Sequence, residues 1–236
     1  MIRVTIFNEF YHERENERVR ALYPNGIHET LRAGLEDDEV VVRTVTLEDA
    51  DCGLTAEVLA QTDVLIWWGH VRHHLVPDEV ADRVRDAVLG GMGAIFLHSA
   101  HHSKPFKRLM GTSCNLSWRV DGDRELLWVV NPTHPIARGM DRFILLEQEE
   151  TYSEPFGIPE PQELVFVANF EGGEVFRAGC CYRRENGKVF YFQPGHETYP
   201  TYHHADVLQV LKNAVRWAKP EARVELVCPH VSKPLA

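Results

Sequence analysis

The first 110 residues alternate between short apolar runs and segments with helical periodicity. Four runs are apolar almost throughout, and each predicts a strand: residues 2–7, 39–47, 63–68 and 93–98. Between them apolar residues recur at helical spacing, as in the segment that carries Ile27, Leu31 and Leu35. Strands that are apolar on both faces and separated by helices are typical of a parallel sheet covered on both sides. The pattern therefore predicts an α/β protein with a central, mainly parallel sheet.

After residue 110 the pattern changes to shorter β-like pieces and one final helix. The runs "ELLWVV", "FILLEQEETY" and "ELVFVANF" indicate strands. In "AGCCYRRENGKVFYF" the pair Asn186-Gly187 lies between two apolar runs, which is a strong hairpin signal. Apolar residues at helical spacing predict a last helix within 204–220. Because no Pro-, Gly- or Ser-rich linker separates these parts, we expect a single domain over residues 1–236.

The net charge and the cysteine content indicate which binding partners and which cellular compartment to expect. A formal net charge of -10 argues against nucleic acid and anionic membranes, both of which attract basic surfaces. No run approaches the roughly 20 apolar residues that span a bilayer, and the first ten residues resemble a strand rather than a signal peptide. The 5 scattered cysteines lack a C-x-x-C pair, which fits a reducing compartment without disulfides or thiolate zinc. We expect a cytoplasmic protein that binds a small molecule and no nucleotide cofactor; a homo-oligomer is an open alternative to a monomer.

The 13 histidines are the unusual feature of the composition, and several directly follow predicted strands. Polar residues occur at four strand ends, as Asn8-Glu9, Gly69-His70, His98-Ser99 and His196-Glu197. Ligands of open parallel sheets bind outside the carboxyl ends of the strands, so these imidazoles are predicted to converge at one edge. We interpret "LLEQEETY" as a further strand end, with Glu147, Glu149, Glu150 and Tyr152.

The stretch "GAIFLHSAHHS" puts a histidine where many α/β enzymes hold a nucleophile. His98 is the first residue after the strand, and Ser99 with His196 as its base is the nucleophilic alternative. Cys114 lies in a loop, while Cys180 and Cys181 lie inside a predicted strand, so we discount all three thiols. The remaining chemistry is imidazole and carboxylate. It favours either general acid–base catalysis or a divalent cation held by neutral His and Glu.

We assign candidate roles on this basis. The catalytic residues, which are also the candidate ligands of Zn²⁺ or another divalent cation, are His98, His196 and Glu150. The candidate substrate-binding residues are His28, His70, His73, Ser99, His101 and Tyr152. A stacking face for a sugar is offered by Trp67, Trp68 and Trp118. At most one member of each adjacent histidine pair should face the site, the pairs being His73-His74, His101-His102 and His203-His204. Surface or turn positions are expected for His12, His134 and His230.

Several stretches together resemble the ThuA-like family of trehalose-utilisation proteins, relatives of the class I glutamine amidotransferases. The most specific are "WWGHVRHHLVPDEV", "GMGAIFLHSAHHSKPF" and "GKVFYFQPGHETYP". The resemblance implies a flavodoxin-like three-layer fold with a central, mainly parallel sheet, and a role in using trehalose or a related sugar. In the glutaminase relatives the turn carries a catalytic cysteine and a later strand end carries a histidine. Here these positions are His98 and His196, so the resemblance implies a scaffold without glutaminase activity.

Three functions follow from these features. The leading one is a cytoplasmic enzyme that acts on a trehalose-derived or keto-sugar substrate through a His/Glu site. The second is a non-catalytic sugar-binding or regulatory protein that keeps the pocket. The third is an amidotransferase-like subunit that docks on a synthetase.

Overall fold

Nine β-strands and seven α-helices follow one another along residues 1–234, the part of the chain that this computed structural model describes. The strands are β1 (Ile2–Asn8), β2 (Val40–Thr46), β3 (Val64–Trp68), β4 (Gly93–Leu97), β5 (Ser117–Val129), β6 (Phe143–Ser153), β7 (Glu163–Phe170), β8 (Val175–Arg184) and β9 (Gly187–Phe192). The helices are α1 (His12–Glu15), α2 (Glu17–Leu22), α3 (Ile27–Leu35), α4 (Ala56–Ala60), α5 (Asp78–Leu89), α6 (Lys104–Met110) and α7 (Ala205–Ala218).

All nine strands belong to one mixed sheet with the order β2-β1-β3-β4-β9-β8-β7-β5-β6. The five strands from β2 to β9 pair in parallel, and the others pair antiparallel. The predicted α/β class is confirmed, but the expectation of a mainly parallel sheet was correct for only one half. The strands after residue 110 can pair through tight turns such as the one at Asn186, whereas each parallel pair needs a crossover connection. The flavodoxin-like description fits the parallel half and stays a prediction for the whole sheet.

Helices cover both faces of the parallel half. Every residue of β3 and β4 is buried, as the continuous apolar runs predict. Helices α3 and α7 contact each other and strands of this half, and α5 packs between α4 and α6. None of the helices within residues 1–234 is long and apolar enough to cross a membrane.

The register of the parallel strands aligns their carboxyl ends. Asn8 pairs with Trp68, Trp68 with Leu97, and Leu97 with Phe192. The loops that leave these strands therefore start side by side at one edge of the sheet. They carry Glu9, His70, His98 and His196, so local strand boundaries already bring these residues together.

Candidate functional site

The turn after β4 holds His98 in a conformation that few residues with a side chain adopt. Its φ is 52°, in the left-handed region, and a short 3₁₀ helix over His98–His102 follows. Strain of this kind is typical of functional turns between a strand and a helix. The imidazole is completely buried, and its Nδ1 lies 2.9 Å from the carbonyl oxygen of Gln193. His98 therefore occupies the position predicted for it, with a fixed ring.

Three imidazoles meet at the carboxyl edge of the sheet. The ring centroids are 5.2 Å apart for His70 and His196, 5.4 Å for His98 and His196, and 5.8 Å for His70 and His98. These separations are short enough for one small ligand or ion to contact all three. The expected convergence of these histidines is therefore present in the structure.

Glu150 from β6 completes a four-residue cluster. One ligand atom from each of His70, His98, Glu150 and His196 lies within 4.8 Å of the others. Glu150 Oε2 is 2.8 Å from His98 Nε2, a separation at which a protonated imidazole and a carboxylate form a buried ion pair. A cation could take the place of that proton, because the four ligand atoms already converge on one point. The donor set of imidazole and carboxylate suits a divalent ion of the zinc type.

The second nitrogen of each ring faces an oxygen that orients it. The Nδ1 of His98 faces the Gln193 carbonyl, the Nδ1 of His70 lies 2.8 Å from Glu197 Oε2, and the Nδ1 of His196 lies 2.8 Å from Thr198 Oγ1. The Gln193 carbonyl can only accept, so in the neutral ring the Nδ1 of His98 carries the proton and its Nε2 keeps a free lone pair. The Nδ1 of His196 instead accepts from the backbone N–H of Thr198 at 3.2 Å, so the proton of this neutral ring lies on Nε2. Outer partners of this kind orient the histidine ligands in many metal centres. The three rings are thus held in fixed orientations around one point.

Burial and charge act in opposite directions on the pKa values of the cluster. Burial alone would lower the pKa of His98, but Glu150 and Glu149 outweigh it and raise that pKa. Burial would raise the pKa of Glu150, but the three imidazoles, His98 first, lower it. Burial lowers the pKa of His196 to about 4, so this ring is neutral near pH 7. His196 therefore already has the neutral state that cation binding requires, whereas a cation would have to displace the proton that the raised pKa of His98 favours.

Two further carboxylates fix the loops that carry the cluster. Glu9 accepts hydrogen bonds from the backbone N–H groups of His70, Val71 and Arg72, at 2.9, 3.1 and 2.7 Å. Glu149 accepts from the N–H groups of Gly195 and His196, at 2.9 and 3.0 Å, and from the Thr201 hydroxyl at 2.6 Å.

A cavity of about 540 Å³ opens onto this cluster. Its lining comprises His12, His70, Val71, His73, Ser99, His101, His102, Asn115, Leu116, Trp118, Val120, Glu150, Tyr152, His196 and Glu197. Most of the predicted site residues belong to this set. His98 lies directly behind the wall, where its Nε2 is 3.3 Å from the Tyr152 hydroxyl. Ser99 Oγ is 2.9 Å from the same hydroxyl rather than being paired with His196.

Not all of the predicted residues line the cavity. His28 is outside the lining, and its Nδ1 lies 2.8 Å from the Asn8 amide nitrogen, so its role in substrate binding stays a prediction. Trp67 and Trp68 are buried in the core and offer no stacking face, whereas Trp118 is 66% exposed and lines the cavity. His134 lies in the turn that follows Asn131, one of the two settings predicted for it, and it is buried there.

The run from Glu147 to Tyr152 is the carboxyl-terminal half of β6, as predicted; the strand ends at Ser153 and pairs there with β5. Glu147 itself is exposed. Both His101 and His102 line the cavity, since a 3₁₀ turn rather than a strand or α-helix holds them.

The sequence reasoning also missed His12 and the roles of Glu9 and Glu197. His12 Nδ1 lies 2.6 Å from Glu197 Oε1, and Glu197 bridges His12 and His70. Burial would raise the pKa of Glu197, but the two histidines lower it well below its usual range. Glu9 directly follows β1, and Glu197 follows His196, so their positions beside strand ends were the available signal.

Comparison with known proteins identifies the family. The family model described as "ThuA: Trehalose utilisation" matches residues 3–218. ThuA-like proteins of Parabacteroides merdae and Bacteroides uniformis have similar structures, each with a TM-score of 0.65, at 14% and 15% identity. The alignment with the Parabacteroides merdae protein covers 95% of this chain and 93% of that one. The alignment with the Bacteroides uniformis protein covers 92% of this chain and 90% of that one.

A protein of Salmonella typhimurium described as cytoplasmic aligns with a TM-score of 0.62 at 12% identity, over 93% of this chain and 100% of that one. At such identities these structures are evidence of a common fold. No curated protein matched the chain significantly. Because the family model covers nearly the whole chain, the protein belongs to the ThuA family, described as trehalose utilisation.

Proposed function

We propose that the protein is an enzyme that acts on trehalose or a related sugar through a His/Glu centre holding a divalent cation. The observation that carries the proposal is the cluster in which one ligand atom from each of His70, His98, Glu150 and His196 lies within 4.8 Å of the others. The family description supplies the sugar class.

The residues present fit such an ion. His98, His196 and Glu150 are the candidate ligands, and His70 offers a fourth donor atom within the same 4.8 Å cluster. A catalytic zinc centre uses three protein ligands and keeps a position open. When bound, the cation would supply Lewis acidity toward a sugar oxygen.

The protein's own groups would move and hold protons in the cavity. The lowered pKa of Glu150, which buried imidazoles cause against the effect of burial, keeps this carboxylate ionised and able to accept a proton. Burial raises the pKa of Tyr152 well above its usual range, so its hydroxyl stays a neutral hydrogen-bond donor. It is oriented by Ser99 Oγ at 2.9 Å and His98 Nε2 at 3.3 Å. Together these groups would orient a sugar hydroxyl and remove its proton.

We propose the cytoplasm as the compartment and a small sugar as the partner. All 5 cysteines are free, which suits a reducing environment. Within residues 1–234, no Lys or Arg side chain lines the cavity, so an uncharged ligand fits it better than a phosphate.

The test combines metal analysis with a substrate screen. Protein purified without added metal is analysed for bound elements, titrated with Zn²⁺ and incubated with trehalose and keto-sugars. We expect one ion per chain, and both metal and turnover should be lost in His98→Ala, His196→Ala and Glu150→Gln. His203→Gln is the control, since this exposed ring bonds only to the Leu22 carbonyl among the described residues.

The outcomes separate the hypotheses. Full turnover after exhaustive chelation would refute the cation and leave acid–base catalysis by the same side chains. Saturable sugar binding without turnover of any substrate would instead identify a non-catalytic binding protein.

A further inference from the structure

The cavity has a second arm beyond the four-residue cluster. We define this neutral arm by His73, His101 and His102 together with Leu116, Trp118 and Val120, all of which line the cavity. The rings of His101 and His102 are 4.3 Å apart, and those of His73 and His102 are 6.4 Å apart. Tyr152 lies between the two parts, with its ring 5.0 Å from His98 and 5.6 Å from His101.

The histidines of the neutral arm present hydrogen-bond acceptors. His101 Nδ1 is 2.7 Å from the Cys114 carbonyl oxygen, which can only accept, so Nδ1 carries the proton and Nε2 has a free lone pair. His73 Nε2 is buried and has no partner among residues 1–234. Burial, followed by the charge of neighbouring rings, lowers the pKa of His101 well below its usual value and that of His73 to about 3. Buried acceptors without donors favour a ligand that brings hydroxyl groups.

An apolar wall faces these acceptors. Leu116, Trp118 and Val120 alternate along the chain where β5 begins, and a period of two puts their side chains on one face of the strand. Trp118 is 66% exposed and Val120 48% exposed, although both belong to the cavity. An exposed apolar surface of this kind is typical of a ligand groove. An exposed indole and buried hydroxyl acceptors in one cavity match a sugar ring, which has apolar C–H faces and a polar rim.

We infer that the neutral arm binds the second, non-reacting sugar unit of an unphosphorylated glycoside, while the first unit lies at the His/Glu cluster. This inference rests on the proposed function and assigns the residues that would hold the non-reacting unit of a disaccharide such as trehalose. The cavity volume of about 540 Å³ is in the range of small-molecule sites. Among residues 1–234 no Lys or Arg side chain lines this arm, although Lys107 is close enough to lower the pKa values of His73 and His102, whose largest lowering comes from burial.

The inference is tested by titration calorimetry on the full chain with trehalose, methyl α-D-glucoside and trehalose 6-phosphate. We expect the wild type to bind trehalose about 10-fold tighter than either of the others, a difference of about 1.4 kcal/mol. His101→Phe keeps a ring but removes the acceptor, and Trp118→Ala removes the wall at an exposed position. Both should weaken trehalose binding about 10-fold, change methyl glucoside binding less than about 2-fold and leave the bound metal unchanged.

Different failures point to different errors. Equal affinity of the wild type for trehalose and methyl glucoside, or equal weakening of both by Trp118→Ala, would overturn the second subsite while leaving the proposed function intact. If the wild type bound neither sugar at millimolar concentration, the proposed function would fail together with the inference. His203→Phe is the matched control for the His101 variant.

Discussion

Glu125 on β5 is a carboxyl group enclosed in the core of the sheet. It has no exposed surface, and neither oxygen has a hydrogen-bond partner among residues 1–234. Burial first, and then the charge of Glu149, raise its pKa well above the ordinary value of 4.5. The folded protein therefore favours the neutral acid, and ionising it costs folding free energy.

This predicts how stability depends on pH. Because the folded-state pKa is raised, Glu125 stabilises the fold fully below pH 4.5 and loses that contribution as pH rises through the folded-state value. Glu125→Gln should remove this loss and gain on the order of 2 kcal/mol relative to the wild type at alkaline pH. Urea unfolding of both proteins at pH 5 and pH 9 measures this difference in the free energy of unfolding. An equal effect of the substitution at both pH values would contradict the raised pKa.

His98 also allows a test of the expected absence of glutaminase activity. His98→Cys would place a cysteine at the turn, but the new thiol would lie beside Glu150, whose negative charge disfavours a thiolate. A glutaminase also needs an oxyanion hole and a positioned base. We expect no ammonia release from glutamine, measured with a coupled dehydrogenase assay. Measurable release would mean that the amidotransferase site is intact.

At the scale of elements, the loops after β3 and β9 are each held by one buried carboxylate. Glu9 and Glu149 are not members of the four-residue cluster. Glu9 accepts a hydrogen bond from the backbone of His70, and Glu149 accepts one from the backbone of His196, and these two histidines are members. The sheet therefore positions its histidines through loops that are fixed by charge-assisted hydrogen bonds.

Weakening the hydrogen bonds that Glu9 and Glu149 make to these loops should weaken cation binding without removing a ligand. Glu9→Gln and Glu149→Gln are each expected to raise the Kd for Zn²⁺ about 10- to 100-fold, as outer partners of ligands typically do. Asp37→Asn is the control, because Asp37 accepts from the N–H groups of Glu39 and Val40, before β2 and away from the cluster. A similar loss in the control would mean that the effect is general destabilisation.

Gly195 shows why the loop after β9 needs a glycine. Its φ is 134°, and a Cβ there would overlap the Tyr202 hydroxyl. Gly195→Ala should destabilise the fold by about 3 kcal/mol. Gly111 has a φ of 71°, and a Cβ at this position would meet nothing within 4 Å, so Gly111→Ala should cost only the backbone strain of about 1–2 kcal/mol. Thermal unfolding of both variants separates steric overlap from strain, and equal losses would refute the overlap.

At the scale of the whole molecule, the chain after α7 crosses the edge of the sheet opposite the cavity. Val224 donates to the Gly90 carbonyl at 2.8 Å, and Arg223 donates to the Thr62 carbonyl. Both acceptors precede strands of the parallel half, at their amino ends.

Removing residues 219–236 should therefore lower stability by about 1–2 kcal/mol and leave zinc stoichiometry unchanged. Chemical denaturation and metal titration on the truncated chain provide the measurements. A chain ending at Val231 keeps both contacts and serves as the control. Loss of metal on truncation after Ala218 would contradict the separation of the two edges.

Local sequence pattern was enough to predict the first strands of the parallel half and where they end. Strands β1, β3 and β4 are continuous apolar runs, and helices with clear periodicity separate them, so local pattern and burial agree. Because parallel strands end at one edge, the meeting of His70 and His98 followed from those boundaries. His196 joins them only because β9 pairs in parallel with β4, which the sequence analysis assumed.

The strand order of the antiparallel half and the contacts of each polar side chain depend on packing between segments that are distant in sequence. The order β9-β8-β7-β5-β6 depends on pairings between distant segments, which no local period encodes. It brings Glu150 to His98 from an edge strand, turns Trp118 toward the cavity and leaves Glu147 exposed. The same applies to His12 and His28, because a helical or loop histidine can face a site or the core with an identical sequence signal. Strand ends are local properties of the chain, whereas the partner of a side chain is set by packing.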